Sequence, residues 1–436
     1  MIAKPPRSEW QPILKGSLAD AAQRAVDAIV KDIGALDGQV QRPVDLCERA
    51  LLFAYLANSN PHAGWEERAV TCLNLTIEKV SAVPYQFFSL GLYGGMAGIG
   101  WIIEHVSRLL ERDEPRLAVQ SEETDPEEDA IAEIDQLIIS RLNDGPWQGH
   151  YDLINGLTGL GIYFLERLPR DFAVRGIQLV LNALERVAQS SSTGITWFTP
   201  PALLLGPQLE NNPNGYYNLG VAHGVPGIIQ FLGEVVAHGI DVTRAQHLLT
   251  GSVEWLLAQR QPIEAVYRFS TVVSPGQEVR GSRLGWCYGD LGIAAVLHQV
   301  GNRNGRDDWS QIAVDLLQHS MRVPEEKAFI TDAGLCHGAI GVAHILNRVY
   351  QTGDQQFEKD AISWFERALS MRRDGQGIGG FLAYRPELNP KWNSDVSFLT
   401  GGIGLALTFL SSIYPIEPQW DRLLLLSGRG CVRSEN

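Results

Sequence analysis

The chain has 436 residues, of which 45% are hydrophobic and 20% charged, a composition typical of a folded protein with a substantial core. Its formal charge of −14 argues against a general electrostatic grip on nucleic acid or on anionic membrane surfaces. No stretch approaches about 18 uninterrupted apolar residues, and the N-terminus has no apolar core before a cleavage site, so we expect no integral membrane segment and no secretory signal.

Five cysteines in a chain of this length give no disulfide framework, which favours a reducing cytoplasm. Cys47 and Cys72 lie in apolar helical contexts, and we expect both in the core. Cys431 lies in a polar tail and is expected to be an exposed thiol. Cys287 and Cys336 differ from these three, because each stands just before a glycine pair.

The predicted elements begin with an amphipathic segment at 18–34, an apolar one at 46–58 and a second amphipathic one at 66–80. Beyond these, short segments that are apolar nearly all round begin at Ile99, Leu160, Ile228, Ile293, Val342 and Leu405. Such segments predict helices that are buried on several sides, and we call them inner helices.

Amphipathic segments with apolar residues spaced at three and four lie between the inner helices, at 130–142, 175–189, 243–259, 309–321 and 357–371. One apolar face and one charged face predict helices that pack on an inner layer with their backs in water. We call them outer helices. Together with the N-terminal segments they make seven outer-inner pairs, enough for a closed ring of helical hairpins.

Glycine pairs of the form G-x-x-G precede six of the seven inner helices, at Gly95/Gly98, Gly156/Gly159, Gly224/Gly227, Gly289/Gly292, Gly338/Gly341 and Gly401/Gly404. Successive first glycines are 61, 68, 65, 49 and 63 residues apart, a spacing that suits two helices with generous loops. The glycines are interpreted as packing devices that allow a tight entry turn and close backbone approach. They also fix where each inner helix begins.

The repeat predicts one all-α domain over residues 17–414, with an N-terminal extension at 1–16 and a C-terminal tail at 415–436. Nothing between these limits has the composition of a linker. About 15 residues precede the predicted ring, so we expect no further catalytic domain ahead of it. The irregular stretches at 191–217 and 262–283 are candidates for loops that touch a substrate.

Three residues in the predicted ring have metal-ligand chemistry and equivalent placement. Cys287 and Cys336 lie two residues before the first glycine of their pairs, and His337 lies one residue before it. If consecutive inner helices begin at the same end of the ring, these side chains approach one another. Two thiolates and one imidazole suit zinc and leave a fourth position open for water or substrate.

A Cys-His dipeptide alone is weak evidence for a metal, because buried cysteines and histidines are common in protein cores. The equivalent placement of Cys287 in the preceding repeat is what predicts the site. Zn(II) with two thiolates and a neutral histidine has no net charge, which favours activation of a sulfur nucleophile over polarisation of a carbonyl.

Four further groups are expected near the same end of the ring. His223 shares the position of His337 without an adjacent cysteine and suits acid-base chemistry. Asp152 can orient a histidine, Arg283 can stabilise a developing oxyanion, and Tyr288 adjoins Cys287. Each also has an ordinary explanation as a core histidine, a helix-capping aspartate, a surface arginine or a packed aromatic ring. The other eight histidines show no such placement and are expected to be structural.

The segments YDLINGLTGLG, NLGVAHGVPG, RLGWCYGDLG and CHGAIGVAH together resemble the lanthionine synthetase C-like family over essentially the whole chain. The resemblance implies an α/α toroid of seven inner and seven outer helices. At matching motif positions it implies Cys287, Cys336 and His337 as zinc ligands. It likewise implies that His223, Asp152, Arg283 and Tyr288 are the surrounding active-site groups.

The chemistry that the resemblance implies is intramolecular Michael addition in a lanthipeptide precursor. A zinc-bound cysteine thiolate of the peptide adds to the β-carbon of a dehydroalanine or dehydrobutyrine, and an enolate forms and is protonated at the α-carbon. His223 would handle a proton, from the thiol or to the enolate, and Arg283 would lie near the enolate oxygen. The expected partners are the dehydrated precursor, a separate dehydratase and an export transporter.

Two alternatives remain open at this point. The first, within the resemblance, is a LanC-like protein that binds glutathione or adds it to dehydrated side chains. The second is a non-catalytic scaffold in which zinc staples the toroid and the surface docks a partner. Other toroid enzymes are disfavoured, because a zinc prenyltransferase draws an aspartate into its metal set and a glycosidase needs paired carboxylates across a cleft.

Overall fold

A computed structural model describes residues 10–36, 38, 42–83, 88–111, 131–274 and 281–430. Helices make up most of this part of the chain, and its few strands are two or three residues long. The all-α class expected from the repeat is confirmed. No described helix is long and apolar enough to cross a membrane. Cys431 and residues 275–280 of the predicted 262–283 loop lie outside the described residues.

Seven described helices match the predicted inner set: α2 (Pro43–Ser59), α4 (Met96–Leu110), α6 (Leu157–Arg167), α9 (Val225–Ala237), α11 (Asp290–Arg303), α14 (Ala339–Gln351) and α16 (Gly402–Ile413). Their burial agrees with their apolar composition, since every residue of α6 and of α14 is buried. The first inner helix lacks a glycine pair and begins instead with Pro43, whose fixed φ and missing N–H suit the first helical position.

Seven described helices match the outer set: α1 (Gly16–Ala35), α3 (Trp65–Ser81), α5 (Ala132–Asn143), α7 (Asp171–Val187), α10 (Val242–Ala258), α12 (Asp307–Ser320) and α15 (Glu358–Ser370). In α7 the buried residues recur at intervals of three and four, as in Ala173, Ile177, Val180 and Leu184. Cys72 corrects one expectation. It is only half-buried, because it lies on the amphipathic α3, whereas Cys47 on the inner α2 is fully buried.

The described chain divides into two compact units, each assembled from separated stretches. The first contains residues 1–79, 283–287 and 318–421. Within it, α16 packs against both α1 and α2, and α14 packs against α15. Residues ahead of α1 also belong to its core, since the Trp10 indole donates a hydrogen bond to the Ser411 carbonyl at 2.7 Å.

The second unit contains residues 80–282, 288–317 and 422–436. Its inner helices pack in the order α4, α6, α9 and α11, and α5, α7 and α10 cover them. A three-stranded antiparallel sheet of β3 (Phe198–Thr199), β4 (Tyr216–Asn218) and β5 (Val272–Val273) lies ahead of α9 in this unit. Other short elements of this unit are the hairpin β1/β2 (Gln189–Ser191 and Gly194–Thr196) and helix α8 (Pro207–Asn211). The first unit contains the hairpin β6/β7 (Ala383–Tyr384 and Trp392–Asn393) and helix α13 (Glu325–Ala328).

Several buried polar side chains of the inner helices contact partners on other elements. The fully buried Arg167 of α6 bridges Glu104 of α4 at 2.5 Å and Asp135 of α5 at 2.6 Å. In the first unit His344 contacts Asp421 at 2.9 Å, with both side chains fully buried. The ion pairs of Arg167 offset the cost of burying its charge. Burial lowers the pKa of His344, so its contact with Asp421 is a hydrogen bond of a buried imidazole, which fits the structural role expected for this histidine.

Candidate active site

Each inner helix with a glycine pair is preceded by a loop that curls back over the helix N-terminus. The first glycine of all six pairs is the residue directly before the helix, and none of these helices has a side-chain cap. At α4, α6, α14 and α16, a loop carbonyl accepts a hydrogen bond from the first helical N–H group instead. At α14, Asp332 O accepts from Ala339 N at 3.0 Å and Ala333 O accepts from Ile340 N at 3.2 Å. The donors that an α-helix leaves unpaired at its start are thereby satisfied.

This curl explains the second glycine of five of the pairs, Gly98, Gly159, Gly227, Gly341 and Gly404. A Cβ at Gly341 would meet the carbonyl oxygen of Leu335, in the loop of the same repeat. The corresponding Cβ at Gly404 would meet the carbonyl oxygen of Phe398. The close approach expected from the glycines is therefore between an inner helix and its own entry loop.

A second device recurs six residues before the first glycine, at what we call the minus-six position. There a side-chain oxygen accepts a hydrogen bond from the backbone N–H two residues on, in the pairs Ser89–Gly91, Asn218–Gly220, Asp332–Gly334 and Asp395–Ser397. This is the geometry of an Asx or Ser/Thr turn. Reading the sequence at this offset would have found these turn residues, which the search for metal ligands missed.

Neighbouring loops are tied together by backbone hydrogen bonds at one level. Trp286 N donates to Cys336 O at 3.0 Å, and Cys336 N donates to Leu399 O at 2.8 Å. In the second unit, Leu153 N donates to Ala222 O at 3.2 Å. Every acceptor lies two residues before its first glycine. Backbone hydrogen bonds thus align the corresponding positions of neighbouring loops, as expected from the spacing of the glycines.

Cys287, Cys336 and His337 come together in the first unit. One ligand atom of each lies within 4.8 Å of the others, the only such group of three that the described residues contain. Tetrahedral zinc with these donors places ligand atoms about 3.5 to 4 Å apart. Gly285 permits the approach, since a Cβ there would lie 3.3 Å from the Cα of His337. The donor set therefore fits zinc in number and type, and the three ligand atoms are close enough together to hold a metal ion.

The two thiols behave as one strongly coupled pair. The hydrogen bond from Cys336 holds the pKa of Cys287 well below its usual range, and His337 and the Arg283 guanidinium add to this effect. The same contact with Cys287 raises the pKa of Cys336 well above its usual range. The pKa values of the two thiols thus shift in opposite directions, as expected of neighbouring sulfur atoms that need a cation to ionise together.

Asp152 and His223 form the second group, within the second unit. Asp152 Oδ2 lies 2.7 Å from His223 Nδ1, and Asp152 Oδ1 accepts from Asn155 N at 2.8 Å. The Asp152 side chain is 5% exposed, whereas that of His223 is 36% exposed. An ionised carboxylate only accepts, so Nδ1 bears the proton and Nε2 is left as the basic nitrogen.

Tyr288 belongs to the same group as His223. Their ring centroids are 6.4 Å apart, with the planes inclined by 27°. The Tyr288 hydroxyl oxygen accepts a hydrogen bond from Nδ2 of Asn218 at 3.2 Å. The structure therefore gathers the sequence-predicted residues into two clusters: Cys287, Cys336 and His337 with Arg283 nearby, and Asp152, His223 and Tyr288 with Asn218.

Comparison with known proteins identifies the family. The family model described as lanthionine synthetase C-like protein matches residues 49–425. The chain belongs to the lanthionine synthetase C-like family. No curated protein sequence gives a significant match.

Among solved structures, the protein titled nisin cyclase is similar to this family member. The likeness has a TM-score of 0.72 at 19% sequence identity, and covers 93% of this chain and 97% of that one. At this identity the likeness concerns the fold. The α/α toroid expected from the repeats is confirmed for this lanthionine synthetase C-like protein.

Proposed function

We propose that this protein is a zinc-dependent lanthionine synthetase, which closes thioether rings in a dehydrated lanthipeptide precursor. A cysteine thiol of the peptide adds across the double bond of dehydroalanine or dehydrobutyrine. The new S–C bond forms at the β-carbon, and one proton passes from sulfur to the α-carbon. The observation that supports this most directly is the Cys287, Cys336 and His337 cluster, which leaves room in a zinc set for one sulfur ligand.

Cys287, Cys336 and His337 are the residues that would hold the metal. Zinc in such a set lowers the pKa of an added thiol and keeps the sulfur nucleophilic at neutral pH. Burial of Cys287 and the half-burial of its two partners keep water from competing freely for the sulfur. Arg283, whose charge already acts on both thiols, is the group proposed to stabilise the enolate oxygen.

His223 is proposed to carry the proton. Its Nε2 is the basic nitrogen because Asp152 holds Nδ1, and more than a third of the side chain is open to substrate. Asp152 is the orienting carboxylate, which also favours the imidazolium that forms after proton uptake. Tyr288, beside His223, is proposed to donate a hydrogen bond to the reacting peptide unit.

The proposed reaction also indicates which proteins would act together with this one. A cyclase of this kind consumes dehydrated residues, and we propose that a separate dehydratase acts first on the same precursor. An export transporter and a cytoplasmic location complete the proposed setting. We propose residues 17–414 as the catalytic domain, flanked by the extension 1–16 and the tail 415–436.

The test is the mass and free-thiol count of a dehydrated, cysteine-containing precursor before and after exposure to the purified protein. Ring closure conserves peptide mass and removes one thiol for each ring. The same exposure in the presence of glutathione distinguishes ring closure from addition of glutathione to dehydrated side chains. Addition of glutathione raises the peptide mass and leaves the cysteine thiols of the peptide free. Unchanged thiols and mass with a zinc-loaded protein would contradict the proposal.

A further inference from the structure

Asn218 is a buried amide that is bonded at both ends. It is the last residue of β4 and is 1% exposed. Its Oδ1 accepts a hydrogen bond from Gly220 N at 2.8 Å, and its Nδ2 donates to the Tyr288 hydroxyl at 3.2 Å. A side chain buried this deeply, with both polar atoms in use, has one orientation.

The backbone fixes the sense of both bonds. Gly220 N–H can only donate, so the amide oxygen must face it and the amide nitrogen must face Tyr288. The nitrogen in turn can only donate, so the Tyr288 oxygen accepts from it and the phenol proton points elsewhere. Accepting such a bond also makes the phenol a stronger donor.

The turn residues at the minus-six position of other repeats lack the contact that the Asn218 amide nitrogen makes. Ser89, Asp332 and Asp395 make the same minus-six turn through an oxygen, at 3.2, 3.0 and 2.8 Å. An oxygen acceptor is thus enough for the turn. The nitrogen of Asn218 is not needed for it, and this nitrogen is the atom that contacts Tyr288.

The geometry points to Asn218 as a positioning residue for the proposed cyclisation, on which this inference rests. Through Tyr288 it sets which way the phenol proton is donated, next to the His223–Asp152 pair. The substrate atom that accepts this hydrogen bond is the oxygen of the dehydrated residue's carbonyl, where negative charge develops as sulfur adds, and the phenol keeps its proton throughout. Asn218 itself does not touch the substrate.

Two substitutions separate this role from that of a turn residue. Asn218→Ser and Asn218→Asp both keep an oxygen for Gly220 N–H, as Ser89 and Asp395 do in their loops. Both remove the donor to Tyr288, and the aspartate would draw the phenol proton to itself. We expect kcat for ring closure to fall about 10- to 100-fold in each, with KM within about twofold of the parent.

Coupling to Tyr288 is the decisive measurement. Asn218→Asp combined with Tyr288→Phe should be no slower than Tyr288→Phe alone, because the amide acts through that hydroxyl. Effects that multiply would overturn the inference. So would coupling to Tyr216→Phe instead, since Tyr216 is the other phenol that Asn218 reaches. Ser89→Ala, which breaks an equivalent turn elsewhere, should leave kcat unchanged.

A readout without turnover keeps this inference distinct from the proposed function. In protein labelled with ¹³C-tyrosine, the Cζ signal absent from Tyr288→Phe belongs to Tyr288. That signal should shift in both Asn218 variants and stay in place in Ser89→Ala. An unmoved signal, or full kcat in either Asn218 variant, overturns the inference alone. Absence of cyclisation by the parent overturns the proposed function.

Discussion

The loops before α14 and α16 have the same backbone and different chemistry. Asp332 and Asp395 each make the minus-six turn, and their carbonyls each accept from the first helical N–H, at 3.0 and 2.9 Å. The first loop then places Cys336 and His337 where the second places Leu399 and Thr400. The comparison teaches that the frame and the chemistry are separable: glycines, turn residues and carbonyl caps build the loop, and two positions decide what it does.

The largest expected effect comes from removing the thiol at the first of those two positions while leaving the loop backbone unchanged. In Cys336→Ala, zinc should fall from about one ion per chain to nearly none, and ring closure should slow by about 10³-fold or more, because a thiolate ligand is lost. Metal analysis measures the zinc content, and counting the free thiols of the peptide over time measures the rate of ring closure. Cys72→Ala, which removes a half-buried thiol on an outer helix, is the matched control and should retain both zinc and activity.

His223 tests whether a loop without cysteines contributes chemistry of another kind. His223→Asn should slow ring closure by about 10²-fold, because the base at Nε2 is lost, and should leave the zinc content unchanged. His62→Asn, at an exposed position, is the control. Unaltered cyclisation kinetics in His223→Asn would remove this residue from the mechanism, and lost zinc would place it among the ligands.

The backbone of either loop, before α14 or before α16, can be strained without changing the side chains at the two positions directly before the first glycine, Cys336 and His337 or Leu399 and Thr400. Gly341→Ala and Gly404→Ala each press a Cβ on a loop carbonyl, so each should reduce the free energy of unfolding by about 1 to 3 kcal/mol. Only Gly341→Ala should also weaken zinc binding. Gly281→Ala, where a Cβ meets nothing within 4 Å, should stay within about 0.5 kcal/mol of the parent in urea unfolding. Equal loss of zinc in both strained variants would mean that frame and chemistry are not separable.

Much of this arrangement could be predicted from the sequence. Glycine spacing predicted six of the inner helices, but each begins three residues earlier than its predicted apolar segment, directly after the first glycine, because the second glycine lies within the first helical turn. It also predicted which cysteines and histidine would meet, because backbone hydrogen bonds join neighbouring loops at positions two or three residues before the first glycine.

What could not be predicted depends on contacts between distant segments. Glu48, on α2, binds the loop before α16, 350 positions away, and Arg167 finds its partners on two other helices. No local pattern encodes such pairs. Asn218 was missed for a different reason, since its offset is legible in the sequence but its second contact, with Tyr288, is 70 residues away.

The loop before α16 also contacts α2, through the carboxyl group of Glu48. The charge state of this carboxyl tests the backbone of a loop that has none of the proposed metal ligands. Glu48 Oε2 accepts from Phe398 N at 3.0 Å. Burial of the carboxyl raises the pKa of Glu48 to about 8, although the residue as a whole is half-buried, and the charges of Asp45 and Asp395 add to this while Arg42 opposes it. The folded state therefore prefers the protonated acid.

Because this pKa is raised on folding, the stabilisation is fully present below the ordinary value near 4.5 and is lost as the pH rises through about 8. Over that window the free energy of unfolding should fall by up to about 1.4 kcal/mol per pH unit from this group. Glu48→Gln keeps an oxygen that accepts from Phe398 N but cannot carry the charge. The free energy of unfolding of this variant, measured in urea at each pH, should therefore fall less steeply with pH than that of the parent. Equal slopes in parent and variant would show that Glu48 is ionised in the folded protein. Zinc content should be the same in both, since Leu399 and Thr400 stand where the other loop has its ligands.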